Sequence, residues 1–142
     1  MTVRRWKPFT GEPVGEALTG HLAAVACVAF SHDGRLLATG ADDGTARVWD
    51  SARGQPLGEP LTGHTAPIWG IVFSPFGGLA TAGLDRTVRL WDPVTGRPDG
   101  ERLSGHTDAI THTAFSPRGH LLATSSDDGT ARLWQVGALH GP

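Results

Sequence analysis

Three side-chain types that cooperate in nucleophilic catalysis recur together along this chain. A hydroxyl, an imidazole and a carboxylate can form a relay in which the imidazole takes the hydroxyl proton and the carboxylate orients the imidazole. The chain holds His21 with Thr39 and Asp43, His64 with Thr81 and Asp85, and His106 with Thr124 and Asp128. Imidazoles and carboxylates are also metal ligands, and Asp42-Asp43-Gly44 and Asp127-Asp128-Gly129 have the look of cation loops. Both readings weaken on inspection. A nucleophile site occurs once in a domain and opens to a pocket, whereas this set occurs in every unit. The Asp-Gly words lack the alternating ligands and the distal Glu of a calcium loop. There is no G-x-S-x-G, Walker loop, G-x-G-x-x-G or H-E-x-x-H. The single cysteine, Cys27, lies in an apolar run and reads as a small hydrophobe. His32, His112, His120 and His140 do not repeat and are expected to face solvent.

The recurrence is exact enough to set the architecture. Trp6, Trp49, Trp91 and Trp134 are spaced by 43, 42 and 43 residues, and Gly-His pairs begin at Gly20, Gly63 and Gly105. Phe30-Ser31, Phe73-Ser74 and Phe115-Ser116 follow in step, and Thr45-Ala46-Arg47-Val48-Trp49-Asp50 matches Thr87-Val88-Arg89-Leu90-Trp91-Asp92. Periods of this length mark repeat architectures. Each unit reads as strands. Ala24 to Phe30 is an apolar run expected to be buried on both faces. His32-Asp33-Gly34 is turn chemistry, and Leu36 to Gly40 is a second strand. After Asp42-Asp43-Gly44 a third strand alternates Thr45, Arg47 and Trp49 with Ala46 and Val48. Pro56 to Leu61 then suits an outer edge strand. No segment shows helical periodicity.

Composition agrees with a turn-rich globular chain. Of 142 residues 20 are Gly and 10 are Pro, and 39% are apolar. A net charge of −2 argues against a protein built to grip phosphate backbones, so no nucleic-acid partner is expected. No window approaches 18 consecutive apolar residues, and no secretory signal follows Arg4, Arg5 and Lys7, so a cytoplasmic protein without membrane contact is expected. Lys7 is the only lysine against 11 arginines, and Tyr and Asn are absent, a bias expected of a GC-rich, bacterial genome.

A Gly-His pair followed about 28 residues later by Trp-Asp, three times over, resembles the WD40 repeat family. The resemblance implies an all-β fold of propeller blades, each a four-stranded antiparallel unit. It divides the chain into a partial blade (1–19), repeats at 20–62, 63–104 and 105–136, the last lacking its outer strand, and a tail (137–142). It also implies a hydrogen-bonded set in each blade, structural rather than catalytic: His21, Thr39, Asp43 and Trp49; His64, Thr81, Asp85 and Trp91; His106, Thr124, Asp128 and Trp134. Buried indole, imidazole and carboxylate groups must be paired, and linked together they hold loop against strand.

The family resemblance implies neither a cofactor nor a metal, and points to a protein-protein interaction scaffold that binds a protein or peptide on the top face. Contact positions carried over from the family are Ala24, Ala26 and Asp42; Pro67, Trp69 and Leu84; and Ala109, Thr111 and Asp127. Trp69 stands out, because its counterparts Ala26 and Thr111 show that packing does not demand an indole. Two other functions stay open: the regulatory part of a bacterial signalling kinase or NTPase, and an enzyme with a site in the central channel around His112.

Three blades do not close a ring. Thr2 to Trp6 aligns with a third strand and Pro13 to Leu18 with an outer one. Arg5 stands where the other copies are apolar, and Lys7 replaces the Asp of Trp-Asp, so Thr2 to Trp6 is expected to be degraded or unpaired. The outer strand at Pro13 to Leu18 is expected to complete a last blade. Either the chain is a fragment of a larger propeller, or it is half of a homodimer that closes a six-bladed ring.

Overall fold

The computed structural model describes residues 1–137; His140 and the rest of the tail expectation at 138–142 lie outside the described residues. Among the described residues there is no helix, and ten strands form three antiparallel sheets. Blade 1 is β1 (Val25–Phe30), β2 (Leu36–Ala41) and β3 (Ala46–Asp50). Blade 2 is β4 (Ile68–Phe73), β5 (Leu79–Gly83), β6 (Thr87–Trp91) and β7 (Leu103–Ser104). Blade 3 is β8 (Ile110–Phe115), β9 (Leu121–Ser126) and β10 (Ala131–Gln135). Within each blade the strands pair in chain order.

The Phe-Ser words build the turn after each inner strand. The amides of Gly34, Gly77 and Gly119 donate to the carbonyls of Ser31, Ser74 and Ser116 at 2.9, 3.0 and 2.8 Å. Outer strands are thinner than their sequence suggests. In blade 1 the outer segment pairs with β3 at Ala46–Leu61 and Trp49–Pro56, and Pro56 and Pro60 stand where the ladder needs no amide.

Blades pack face on face. Ala38, Ala46 and Val48 of blade 1 meet Ile68, Ile71, Phe73, Leu79 and Trp91 of blade 2. Ala80, Ala82, Val88 and Leu90 of blade 2 meet Ile110 and Leu122 of blade 3, with Phe115 and Trp134 at the margin. The rule is one small-residue face against one large-residue face, which brings neighbouring sheets close.

Three expectations fail here, for physical reasons. The strand Thr2 to Trp6 is paired: Val3 and Leu18 exchange amide-to-carbonyl bonds at 3.1 and 2.7 Å, and the Val14 amide donates to the Arg5 carbonyl at 2.7 Å. The outer strand at Pro13 to Leu18 therefore pairs with its own sequence neighbour and not with β10. Arg5 does not spoil this pairing, because its guanidinium reaches sideways to the Ser51 and Ala52 carbonyls at the edge of blade 1. Leu18 and Val3 cover Leu37 and Trp49 on blade 1. The third failure is β1, which is not buried on both faces. Ala26, Val28 and Phe30 are exposed, since the N-terminal strand pair covers only the outer half of that face.

Candidate functional site

Blades 2 and 3 each carry one continuous chain of hydrogen bonds, and blade 1 carries the same chain with its last link stretched. In blade 2 the Trp91 indole N–H donates to Thr81 Oγ1 at 2.9 Å, and Thr81 Oγ1 lies 2.8 Å from His64 Nε2. His64 Nδ1 lies 2.9 Å from Asp85 Oδ2. Blade 3 repeats this with Trp134 to Thr124 at 3.0 Å, Thr124 to His106 at 2.8 Å and His106 to Asp128 at 2.8 Å. In blade 1 Trp49 to Thr39 is 3.0 Å and Thr39 to His21 is 2.7 Å, while His21 to Asp43 opens to 3.4 Å. One tautomer satisfies every member. The neutral imidazole donates from Nδ1 to the carboxylate and accepts at Nε2 from the threonine, whose oxygen accepts from the indole.

Electrostatics favour that assignment. Burial pushes His64 and His21 below their ordinary value, although the facing Asp85 and Asp43 pull the other way. Burial also opposes ionisation of Asp43 and Asp85. Hydrogen bonds outweigh it at Asp43, and at Asp85 the facing His64 joins hydrogen bonds in outweighing it, so both carboxyls end below the usual range. The Thr130 hydroxyl, chiefly, holds Asp128 well below that range.

Two repeated contributors escape a reading confined to the four-residue set. Thr45, Thr87 and Thr130 each stand two residues after the aspartate. Their amides donate to its Oδ1 at 2.9, 3.1 and 2.8 Å, and their hydroxyls do so as well. Their recurrence at a fixed offset was a usable signal. The second contributor is the arginine before each blade tryptophan. A Cβ on Gly20, Gly63 or Gly105 would come within 3.1, 2.9 or 3.0 Å of the guanidinium of Arg47, Arg89 or Arg132. Those glycines also have φ of 144, 146 and 158°, so the Gly of Gly-His is required both for its backbone and for the arginine lying on it.

The network offers little to a substrate. Thr39, Thr81 and Thr124 are buried, and each hydroxyl is already committed to an imidazole and an indole. The three histidines belong to three separate blades. Burial pushes the Cys27 thiol up to about 12, with Asp42 adding to the effect, which keeps it protonated and unreactive. His32, His112 and His120 are exposed.

The contact positions carried over from the resemblance lie at the Gly-His end of the blades. Each inner strand has a β-bulge there, between Val25 and Cys27, Ile68 and Gly70, and Ile110 and His112. The residues left out of register are Ala26, Trp69 and Thr111. Together with His112 they line a depression of about 350 Å³. Trp69 is 43% exposed, and its indole N–H points at Asp42 Oδ1 of the neighbouring blade, 3.4 Å away. The amides of Asp42, Leu84 and Asp127 donate to the carbonyls of Ala24, Pro67 and Ala109 at 2.8, 2.9 and 2.9 Å. These bonds join two of the three contact positions in each blade, and the bulged residue is the third.

The family model described as WD domain, G-beta repeat matches residues 11–50, 54–92 and 98–135. The chain belongs to the WD40 repeat family. Each matched stretch begins near an outer segment and ends with the third strand of the next blade, so a WD40 repeat in sequence straddles two blades in space. Two solved structures are similar, one titled as the structure of U3-55K and the other as the crystal structure of RRP9 WD40 repeats. Each is 28% identical with a TM-score of 0.86, and the match covers 95% of this chain and 42% of that one. The chain thus spans less than half the length of those solved WD40 proteins. No curated protein matches it. No helix among the described residues is long and apolar enough to cross a membrane.

Proposed function

We propose that this WD40 chain is a non-catalytic interaction platform whose partner protein or peptide docks on the Gly-His end of the blades, with Trp69 as the central contact. The observation that carries this reading is the convergence of the three bulged positions on one depression, with an indole exposed where the other blades have Ala26 and Thr111. Aromatic residues at the centre of a concave patch are the side chains on which binding energy concentrates. The structural use of every repeated polar residue supports the absence of chemistry. The units 20–62, 63–104 and 105–136 serve as the binding modules. The test is binding of peptide pools to the native chain and to Trp69→Ala. The variant should lose most binding while its thermal midpoint stays unchanged. Equal binding by both proteins would refute the reading.

A second reading concerns the assembled state. The large-residue face of blade 1 leaves Val28 and Phe30 uncovered, and the small-residue face of blade 3 leaves Ala114, Ala131 and Leu133 uncovered. These are the two halves of the junction used twice inside the chain, so further blades complete the ring. They come either from a longer protein, of which this is a fragment, or from a second copy. Sedimentation separates the sources: a stable dimer supports the second copy, and a monomer excludes it.

A further inference from the structure

Four of the places where blade 2 departs from both neighbours lie at the Gly-His end. Pro67 replaces Ala24 and Ala109, Trp69 replaces Ala26 and Thr111, Leu84 replaces Asp42 and Asp127, and Arg86 replaces Gly44 and Gly129. Blades 1 and 3 build the same bulge and the same turn without these residues, so the fold does not call for them.

Arg86 is the most telling. Gly44 and Gly129 take φ of 80 and 84°, and Arg86 takes φ of 70° in the same turn. A side chain in this left-handed region is strained, and glycine would relieve it. Such strain is found where a side chain serves binding or catalysis. Arg86 is exposed and has no ion-pair partner among the described residues. Leu84 lies beside Pro67 through its 2.9 Å amide bond, and Pro67 leads directly into Ile68 and Trp69. Trp69 is anchored on one side by Asp42, which leaves its ring free to be covered.

We propose that this end of blade 2 binds a peptide segment presenting an apolar side chain next to a carboxylate. Trp69 and Leu84 take the apolar group, and Arg86 takes the carboxylate, a match that a guanidinium makes bidentately. The flanking blades contribute the exposed carboxylates Asp42, Asp108 and Asp127. They repel an acidic group everywhere except at Arg86, which sets the register of the peptide, and they disfavour a polyanion such as RNA. Arg47, Arg89 and Arg132 do not compete, since they lie against Gly20, Gly63 and Gly105. This inference rests on the platform reading and adds the chemistry of the partner.

Fluorescent peptide pools with Leu beside a fixed Glu, Gln or Lys, and a mixed-sequence single-stranded RNA, are titrated into the native chain, Arg86→Gly, Arg86→Glu and Trp69→Ala. The Leu-Glu pool should bind best, and both Arg86 variants should weaken it about tenfold or more. Arg86→Gly should at the same time raise the thermal midpoint, an opposition that a merely structural arginine would not produce. Unchanged Leu-Glu affinity in Arg86→Gly, or equal binding of the Glu and Gln pools, overturns the inference while binding that still depends on Trp69 keeps the platform reading. Preferential binding of RNA overturns the inference. No binding by any pool, or binding untouched by Trp69→Ala, overturns both.

Discussion

Phe30 and Phe73 occupy the same place in adjacent blades, yet Phe30 is 60% exposed and Phe73 3%. Val28 and Ile71 differ in the same way, at 55% and 8%. The two inner strands carry apolar residues at both of these positions and are equivalent in pairing, including the bulge. What separates them is the neighbour. Blade 1 covers the face of β4 that carries Ile71 and Phe73, whereas the N-terminal strand pair stops short of β1. Burial in this fold is a property of the junction between blades, and a strand's own residues decide only which junction it can enter.

Phe73→Ala should give the largest effect, a loss of about 3–5 kcal/mol, while Phe30→Ala should cost under about 0.5 kcal/mol. Denaturant unfolding of both variants checks this. If Phe30→Ala proved equally costly, a covering surface would exist in solution that the single chain does not supply. Thr81→Val should come next. It leaves His64 Nε2 and the Trp91 indole unpaired in a buried setting and should cost about 2–3 kcal/mol. Thr124→Val should cost less, because Trp134 is only half-buried.

Acid should act through the same groups. The fold holds His21 and His64 below 6.5, so between those lowered values and 6.5 the unfolded chain binds more protons. Stability therefore rises with pH across that window and falls as the solution is acidified through it. Asp43, Asp85 and Asp128, held below 3.8, add a further loss as pH drops below 3.8. Thermal midpoints from about pH 8 down to about pH 4 should decline, and His64→Gln should flatten the upper part of the decline.

The smallest expected difference lies in the turns. Gly44→Ala and Gly129→Ala should each cost about 1 kcal/mol through φ alone. Gly44→Ala should cost more, because its Cβ would meet the carbonyls of His64 and Ala66 at 3.1 and 3.3 Å, while nothing approaches Gly129 within 4 Å. Equal costs would mean that blade 3 also has a neighbour in solution.

The strands and their order were legible because period-2 alternation, turn words and a repeat of 42–43 residues all pointed the same way. The positions of the histidines, threonines, aspartates and tryptophans stood out by repetition alone. Thr45, Thr87 and Thr130 recur as regularly, but a threonine in a turn has several ordinary uses, so repetition alone did not give their place in the hydrogen-bond route. Nor did it give the pairing of Thr2 to Trp6. Arg5 looked like a defect in a strand, and its reach to the Ser51 and Ala52 carbonyls is a contact 46 and 47 residues away that no local pattern encodes. The exposure of β1 was illegible for the reason given by the two phenylalanines.

The bulge in each inner strand has one more consequence. Its extra residue sits outside the ladder, so the register of the sheet does not fix its identity. Ala26, Trp69 and Thr111 differ in size and polarity, and the sheets around them keep the same register. A tandem array built this way has one freely variable letter per copy, set at the same place on a common surface. Under the proposed reading, such an array changes what it recognises by rewriting those letters while the rest of the repeat stays as it is.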